Sequence, residues 1–251
     1  MKFCRVLWED KICYATHDGD HLSIVEGNPY AEWRTTILHL GVDGARFFPP
    51  CIPTKIVAIG RNYRDHAAEL GNDVPREPLI FLKPPSALIG HDQDIVYPPQ
   101  SKRVDYEGEL GVVMGKRAHG LKDASEAQAA IFGYTIINDV TARDLQKADV
   151  QFTRAKGFDT FCPVGPFIET LLDPTNVLVE TYVNGERRQH ASTSNMAFGV
   201  NTLVQYISNI MTLEPGDLIS TGTPAGIGPM QRGDVVEVKI DLIGTLRNRV
   251  V

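Results

Sequence analysis

The stretch Asp105-Tyr106-Glu107-Gly108-Glu109-Leu110-Gly111-Val112-Val113-Met114 puts acidic oxygens where a buried strand should run. In an extended chain side chains alternate faces, so Asp105, Glu107 and Glu109 point one way while Tyr106, Leu110 and Val112 point the other. Three carboxylates then share a face, and Asn138-Asp139 adds a further one. Two anions about 4 Å apart repel by roughly 4 kcal/mol near a protein surface, so a buried version of this cluster needs a cation. Oxygen-only ligands suit a hard divalent ion, Mg²⁺ first, with Mn²⁺ or Ca²⁺ as substitutes. The bland alternative is a solvated strand face plus an aspartate capping a helix, and the company these residues keep has to decide between the two.

Outward from that stretch, strands dominate. Lys55 to Gly60, Ile80 to Leu82, Glu109 to Met114, Ile131 to Ile137, Asn176 to Val183, Asp217 to Ser220 and Val235 to Leu242 carry β-branched content. Helices are expected over Tyr63 to Leu70, Ala124 to Ala130, Thr141 to Lys147 and Val200 to Asn209, with Asn62 or Asp65 available to cap the first. Val183-Asn184-Gly185-Glu186 and Gln231-Arg232-Gly233-Asp234 have the chemistry of β-connections. The first fifty or so residues read as a small meander, with strands at Arg5 to Trp8, Lys11 to Tyr14 and His21 to Val25. Pro49-Pro50 and Pro53 then punctuate the chain. This predicts a small N-terminal β domain over 1–54 and a larger domain over 55–251. The fold class is β-rich α+β, without the strand-helix alternation of a parallel α/β fold.

With 251 residues and 43% hydrophobic content the chain can bury a sizeable core. A formal net charge of −6 offers no global field for nucleic acid or an acidic membrane surface, so neither is an expected partner. Lys2, Arg5, Glu9 and Asp10 interrupt any apolar stretch of a leader, and no apolar run approaches the length of a membrane span, which makes cytoplasm the expected location. Cys4, Cys13, Cys51 and Cys162 form no Cys-x-x-Cys pair and read as buried free thiols rather than a zinc or dithiol site.

Further polar residues sit at suggestive spacings. His66 and Glu69 are three apart, hence neighbours on one helical face, and a carboxylate beside an imidazole orients it as a general base; an exposed polar pair has the same spacing. Arg143 and Gln146 lie one turn apart after Asp139, which would sit at the helix start. Lys156 precedes Gly157, where backbone can bend close to a ligand. Ser220-Thr221-Gly222-Thr223-Pro224-Ala225-Gly226-Ile227-Gly228 lacks the lysine of a phosphate loop. It is either a long structural turn or a donor of N–H groups and a hydroxyl, chiefly that of Thr223, to a small carboxylate.

Together, Gly60-Arg61-Asn62-Tyr63 with His66 and Glu69, Phe81-Leu82-Lys83-Pro84, the Asp105 to Leu110 stretch, Asn138 to Asp144, Lys156-Gly157-Phe158-Asp159 and Thr221-Gly222-Thr223-Pro224 resemble the fumarylacetoacetate hydrolase family, in the family's order over about residues 55 to 251. The resemblance implies a mixed β-sandwich roll, usually homodimeric, with Glu107, Glu109 and Asp139 as ligands of Mg²⁺ or Mn²⁺. It implies that His66 and Glu69 activate water from a lid, that Gln146 and Lys156 stabilise an oxyanion, and that Thr223 holds a substrate carboxylate. Arg61, Tyr63 and Arg143 become substrate-binding or supporting positions. The implied substrate is a small 2-oxo acid reacting through an enolate, by acylpyruvate C–C hydrolysis or oxaloacetate decarboxylation, with hydroxyheptadienedioate isomerisation or oxaloacetate tautomerisation as the alternative. A non-enzymatic ligand-binding scaffold is a third reading, which His66, Glu69 and Lys156 beside the acids argue against because binding alone needs no general base. The chain lacks the large N-terminal domain of fumarylacetoacetase itself, and looks closer to the small acylpyruvate hydrolases, oxaloacetate decarboxylases and isomerases of that family.

Overall fold

A computed structural model describes residues 1–251. Its axis is the strand Gly108–Met114, buried at every position, antiparallel to Ile131–Asn138 on one side and to Leu218–Ser220 on the other. Both of its faces are covered, which is why Leu110 to Met114 contains no polar residue. Leu218–Ser220 runs parallel to Ile56–Gly60, which pairs with Leu79–Lys83. Beyond Ile131–Asn138, the short strand Ile168–Glu169 links to Lys2–Trp8. The N-terminal strands Lys2–Trp8, Lys11–His17, His21–Gly27 and Trp33–Gly41 thereby prolong the same 11-stranded sheet while keeping an apolar cluster of their own around Cys4, Val6, Ala15, Leu22 and Ile24.

A four-stranded sheet, ordered Glu186–Ser192, Leu178–Val183, Val235–Ile240 and Gly244–Arg249, packs on one face. Its Val179, Val238 and Ile240 meet Leu110, Val112 and Ile136 of the main sheet. The helix Val200–Ser208 joins this core through Val200, Leu203, Val204 and Ile207, an i, i+3, i+4, i+7 stripe. Truncating such a residue, Leu203 for example, would cost about 2–5 kcal/mol by leaving a cavity. The opposite face, with Val113, Ile137, Ile56 and Leu218, is covered by Phe3, Cys51, Cys162 and Val164. The β-rich α+β class is therefore the one expected. All four cysteines are free, Cys13 half-buried and the others buried. No helix is long and apolar enough to cross a membrane.

Three local expectations need correction. The acidic stretch is two strands, not one: Val104–Tyr106 joins a three-stranded sheet with Thr141–Ala142 and Gly228–Met230, and Glu107 is the link to Gly108–Met114. A Cβ at position 108 would stand 2.2 Å from Thr181 Oγ1, so the chain passes there only as glycine. Alternation of faces holds within one strand, and the break at Glu107 sends Asp105 to a different set of partners. Thr141 and Ala142 are strand residues opposite Asp105 and Val104, so the helix starts at Arg143 and Asp139 does not cap it. Nor do Asn62 or Asp65 cap the helix Arg64–Glu69, whose N-cap is Tyr63 without a side-chain bond. Asn62 instead clamps two loops, donating to Phe198 O and Thr221 O and accepting from Phe198 N.

Candidate metal centre and active site

The antiparallel ladder brings the acidic residues together. Gly108 lies opposite Asn138, Glu107 N donates to Asn138 Oδ1 at 2.9 Å, and Asp139 N donates to Glu107 O at 2.8 Å. One carboxylate oxygen from each of Glu107, Glu109 and Asp139 then lies within 4.8 Å of the others, all three side chains being buried. Each carboxylate has one oxygen tied to the scaffold. Arg143 donates to Glu107 Oε1, Lys83 Nζ to Asp139 Oδ1 at 2.6 Å, and both Ser220 Oγ and Gly222 N to Glu109 Oε2 at 2.6 and 2.7 Å. Of the other oxygens, Glu107 Oε2 and Asp139 Oδ2 share Lys156 Nζ at 2.7 and 2.6 Å.

Asp105, the carboxylate turned away, accepts Arg143 Nε at 2.9 Å and a two-pronged bond from Arg103 at 2.8 and 3.1 Å. The four buried carboxylates Asp105, Glu107, Glu109 and Asp139 thus meet the buried cations Lys83, Arg143 and Lys156 and the half-exposed Arg103, and Glu109 alone of the four has no cation bonded to it. Its carboxyl is pushed well above the ordinary range by burial and then by the charges of Asp139 and Glu107. Burial acts on Glu107 in the same sense, but Lys156, Arg143 and His66 outweigh it and hold Glu107 below its ordinary value. For Lys156 burial favours the neutral amine, and Asp139 and Glu107 reverse that and raise its pKa. Hard oxygen donors and a carboxyl without a bonded cation, strained by like neighbours, fit a divalent cation.

The triad forms one wall of a cavity of about 170 Å³ that is also lined by Arg61, His66, Arg143, Gln146, Lys156 and Thr223, with Ile59, Leu79, Phe81 and Phe152 as its apolar part. Gly60 ends its strand, Arg61 takes a left-handed φ of 57°, and the short helix that follows places His66 over the acids. Glu69 stands behind the imidazole, Oε2 lying 3.4 Å from His66 Nδ1, and its carboxylate also accepts the Gly226 N–H at 3.1 Å. Gln146 accepts from Arg143 at 2.5 Å. Thr223 gives its one proton to Gly108 O at 2.9 Å and accepts Gln189 Nε2 at 2.8 Å, so holding a substrate carboxylate would require that proton to turn. Tyr63 is not among the residues lining this cavity and borders a neighbouring depression with His190, Met196 and Pro224, although burial and then the charge of Glu109 raise the pKa of its phenol.

The loop after Ser220 differs from a free anion nest. Gly222 N is committed to Glu109 and Gly226 N to Glu69, so its backbone donors position the protein's own carboxylates. Gly222 is required there, because its φ is 99° and a Cβ would stand 2.7 Å from that of Asn62. Sequence reading assigned no role to Lys83 or Gln189. Lys83 ends a strand just before Pro84, and a lysine closing a mostly apolar run is the signal that could have found it. Gln189 sits on the strand Glu186–Ser192, joining Thr223, Pro224, Thr181 and Gly108 through four hydrogen bonds.

Comparison with known proteins places this geometry. Residues 55–251 match the fumarylacetoacetate (FAA) hydrolase C-terminal family, and residues 1–50 match the Rv2993c-like N-terminal family. The chain is 45% identical over 213 residues to an oxaloacetate tautomerase of Bacillus subtilis, covering 79% of this chain and 70% of that protein. It superposes with a TM-score of 0.93 and 41% identity on a 2-hydroxyhepta-2,4-diene-1,7-dioate isomerase from Mycobacterium marinum, over 100% of this chain and 98% of that one. A fumarylpyruvate hydrolase from Pseudomonas aeruginosa, solved with Mn²⁺ and pyruvate, gives 0.76 and 32% over 84% of this chain and 93% of that one. With its fold, its acidic triad and a match across the whole larger domain, this chain belongs to the fumarylacetoacetate hydrolase family.

Proposed function

We propose that this protein is a divalent-metal-dependent enzyme that converts a small 2-oxo carboxylate through its enolate, with His66 and Glu69 moving the proton. The observation that carries the reading is the convergence of Glu107, Glu109 and Asp139 within 4.8 Å in a cavity shared with His66 and Lys156. Held by those three carboxylates, Mg²⁺ or Mn²⁺ supplies Lewis acidity toward the keto oxygen of the substrate. The other steps fall to the chain. Glu69 engages Nδ1 of His66 and leaves Nε2 to take a proton from carbon or from water. Lys156 and Gln146 supply donors for a developing oxyanion, and Thr223 with Arg61 receives the substrate carboxylate. A cavity near 170 Å³ suits an acid the size of oxaloacetate, since about 150 Å³ is enough to admit benzene.

Proton transfer alone, as tautomerisation or isomerisation, is supported by likeness to the tautomerase and the isomerase. Hydrolysis of an acylpyruvate is a second reading, favoured by a dyad able to activate water and by likeness to the fumarylpyruvate hydrolase. A panel separates them: enol–keto exchange of oxaloacetate, its loss of CO₂, and cleavage of acetylpyruvate, each with Mg²⁺ and Mn²⁺. Turnover of none of these would sink the proposal, and the fastest reaction assigns the class.

A further inference from the structure

The hydrogen-bond pattern of the triad carries an inference that rests on the metal reading above. Glu107 and Asp139 are each held on one side only, by Arg143 and by Lys83, and the oxygens they turn inward, Glu107 Oε2 and Asp139 Oδ2, are the two that Lys156 Nζ spans at 2.7 and 2.6 Å. A divalent ion ligated by the triad needs those same oxygens. An ammonium and a dication on the same oxygens would put two like charges within about 4 Å of each other in a buried site, so the two compete for them.

We propose that Lys156 is a tethered counter-ion that competes with the divalent cation for Glu107 and Asp139, so that metal binding releases its ammonium into the substrate cavity. Lys156 lines that cavity, and its Nζ already lies 5.0 Å from the centroid of the Phe81 ring, an aromatic face on the same wall. Rotation about its four-carbon stem is enough to move the charge, with no shift of the backbone. Lys83 cannot act in this way. It is fully buried, lies outside the cavity lining, and is fixed by Asp139 Oδ1 and Val140 O. One lysine is thus a permanent support and the other an exchangeable one. The consequence is that the oxyanion donor becomes available only in the metal-loaded site, which orders the events: metal first, then substrate.

The test combines Mn²⁺ binding, read by the loss of the free-ion paramagnetic resonance signal, with reductive methylation of lysines read by peptide mass spectrometry. On the wild-type protein, one Mn²⁺ per chain should bind, and it should speed methylation of Lys156 by about tenfold or more as the amine leaves its two carboxylates, while Lys83 stays unlabelled. Lys156→Met should bind Mn²⁺ at least about tenfold more tightly, since no tethered charge opposes it. Stoichiometric Mn²⁺ binding with unchanged or slower labelling of Lys156 would overturn the proposal while leaving the metal site standing, and so would a Lys156→Met variant that binds Mn²⁺ no more tightly. Failure of both proteins to bind Mn²⁺ would remove the metal reading and this inference together. The labelling arm uses the wild-type chain and decides the matter even if the variant does not fold.

Discussion

Replacing Glu109 by glutamine should separate stability from activity. Glutamine keeps the shape of the side chain and an acceptor oxygen for Ser220 Oγ and Gly222 N, and it removes the charge that Glu107 and Asp139 oppose. At the 4.8 Å spacing of the triad, each like neighbour costs about 3 kcal/mol at an effective dielectric constant near 20. Attraction to Lys156 offsets about one of the two neighbours. Weakening two charge-assisted hydrogen bonds to neutral ones takes back about 2 kcal/mol. The balance is a gain of roughly 1–2 kcal/mol for the variant in chelator, or about 2–6 °C in Tm for a chain of this size.

The assay is scanning calorimetry with EDTA, repeated with excess Mn²⁺. With Mn²⁺ the order should invert, because the wild type gains binding energy that the variant forfeits, and turnover of the variant should be lost. The dependence on pH follows from the sign of the shift. Glu109 titrates above its ordinary value of 4.5 in the folded protein, so between the unfolded and folded values the folded chain binds more protons, and wild-type stability falls as pH rises through that window. The advantage of the variant in chelator should therefore widen as pH rises above 4.5 through the raised titration of Glu109. Glu107 has the opposite shift, and its contribution is lost only as pH falls below its ordinary value of 4.5, outside that window. A variant several degrees less stable than wild type in EDTA would refute the reasoning, since it would mean that Lys83, Arg143 and Lys156 already balance the triad.

Three other outcomes follow. His66→Ala should slow acetylpyruvate cleavage by about 10² to 10⁴ and oxaloacetate decarboxylation far less, because only the first needs an activated water; equal losses in kcat/KM, with metal content checked, would assign His66 to binding or closure. Amide exchange over residues 63–76 should slow on adding oxalate, a mimic of pyruvate enolate, as the helix carrying His66 and Glu69 closes on its Gly226 contact, and identical exchange with and without oxalate would remove the lid. Asp105→Asn should cost about 3–5 kcal/mol in urea unfolding by stripping Arg103 and Arg143 of a buried partner. A loss below about 1 kcal/mol would show that the two guanidinium groups are held elsewhere.

What could be read from the sequence was local in its physics. Alternating and continuous apolar runs located the strands at Ile56–Gly60, Ile131–Asn138 and Leu178–Val183, and the stripe at Val200, Leu203, Val204 and Ile207 located the longest helix, because those periods are set by the backbone of one segment. Spacing alone groups Asp105 with Glu107 and Glu109, and it is the family resemblance that singles out Glu107, Glu109 and Asp139, which the pairing of Gly108 with Asn138 brings together. What stayed hidden depends on the partner across a gap. The direction of Asp105 is set by the break at Glu107, and the chain can continue from it only through a glycine because Thr181 Oγ1 of another sheet fills the space a Cβ at 108 would take; no pattern within residues 104–114 encodes Thr181.

The roles of Lys83, Gln189 and Asn62 are hidden in the sequence for the same reason. Each is a polar residue in a stretch that reads as strand or cap, and each becomes informative only through what it touches more than 50 residues away: Asp139 for Lys83, Thr221 for Asn62 and Gly108 for Gln189. A buried lysine cannot be tolerated without a matched anion, so the presence of Lys83 at the end of an apolar strand is itself a statement that a carboxylate lies opposite. The same logic runs in the other direction. Four acids drawn into one interior must recruit cations from wherever the fold can deliver them, and here the buried ones come from three separate segments, the strand Leu79–Lys83 and the helices Arg143–Ala148 and Thr153–Lys156. Of these only Lys156 combines a place on the cavity wall with a grip on both inward-facing oxygens, which is why charge balance and chemistry meet at that residue.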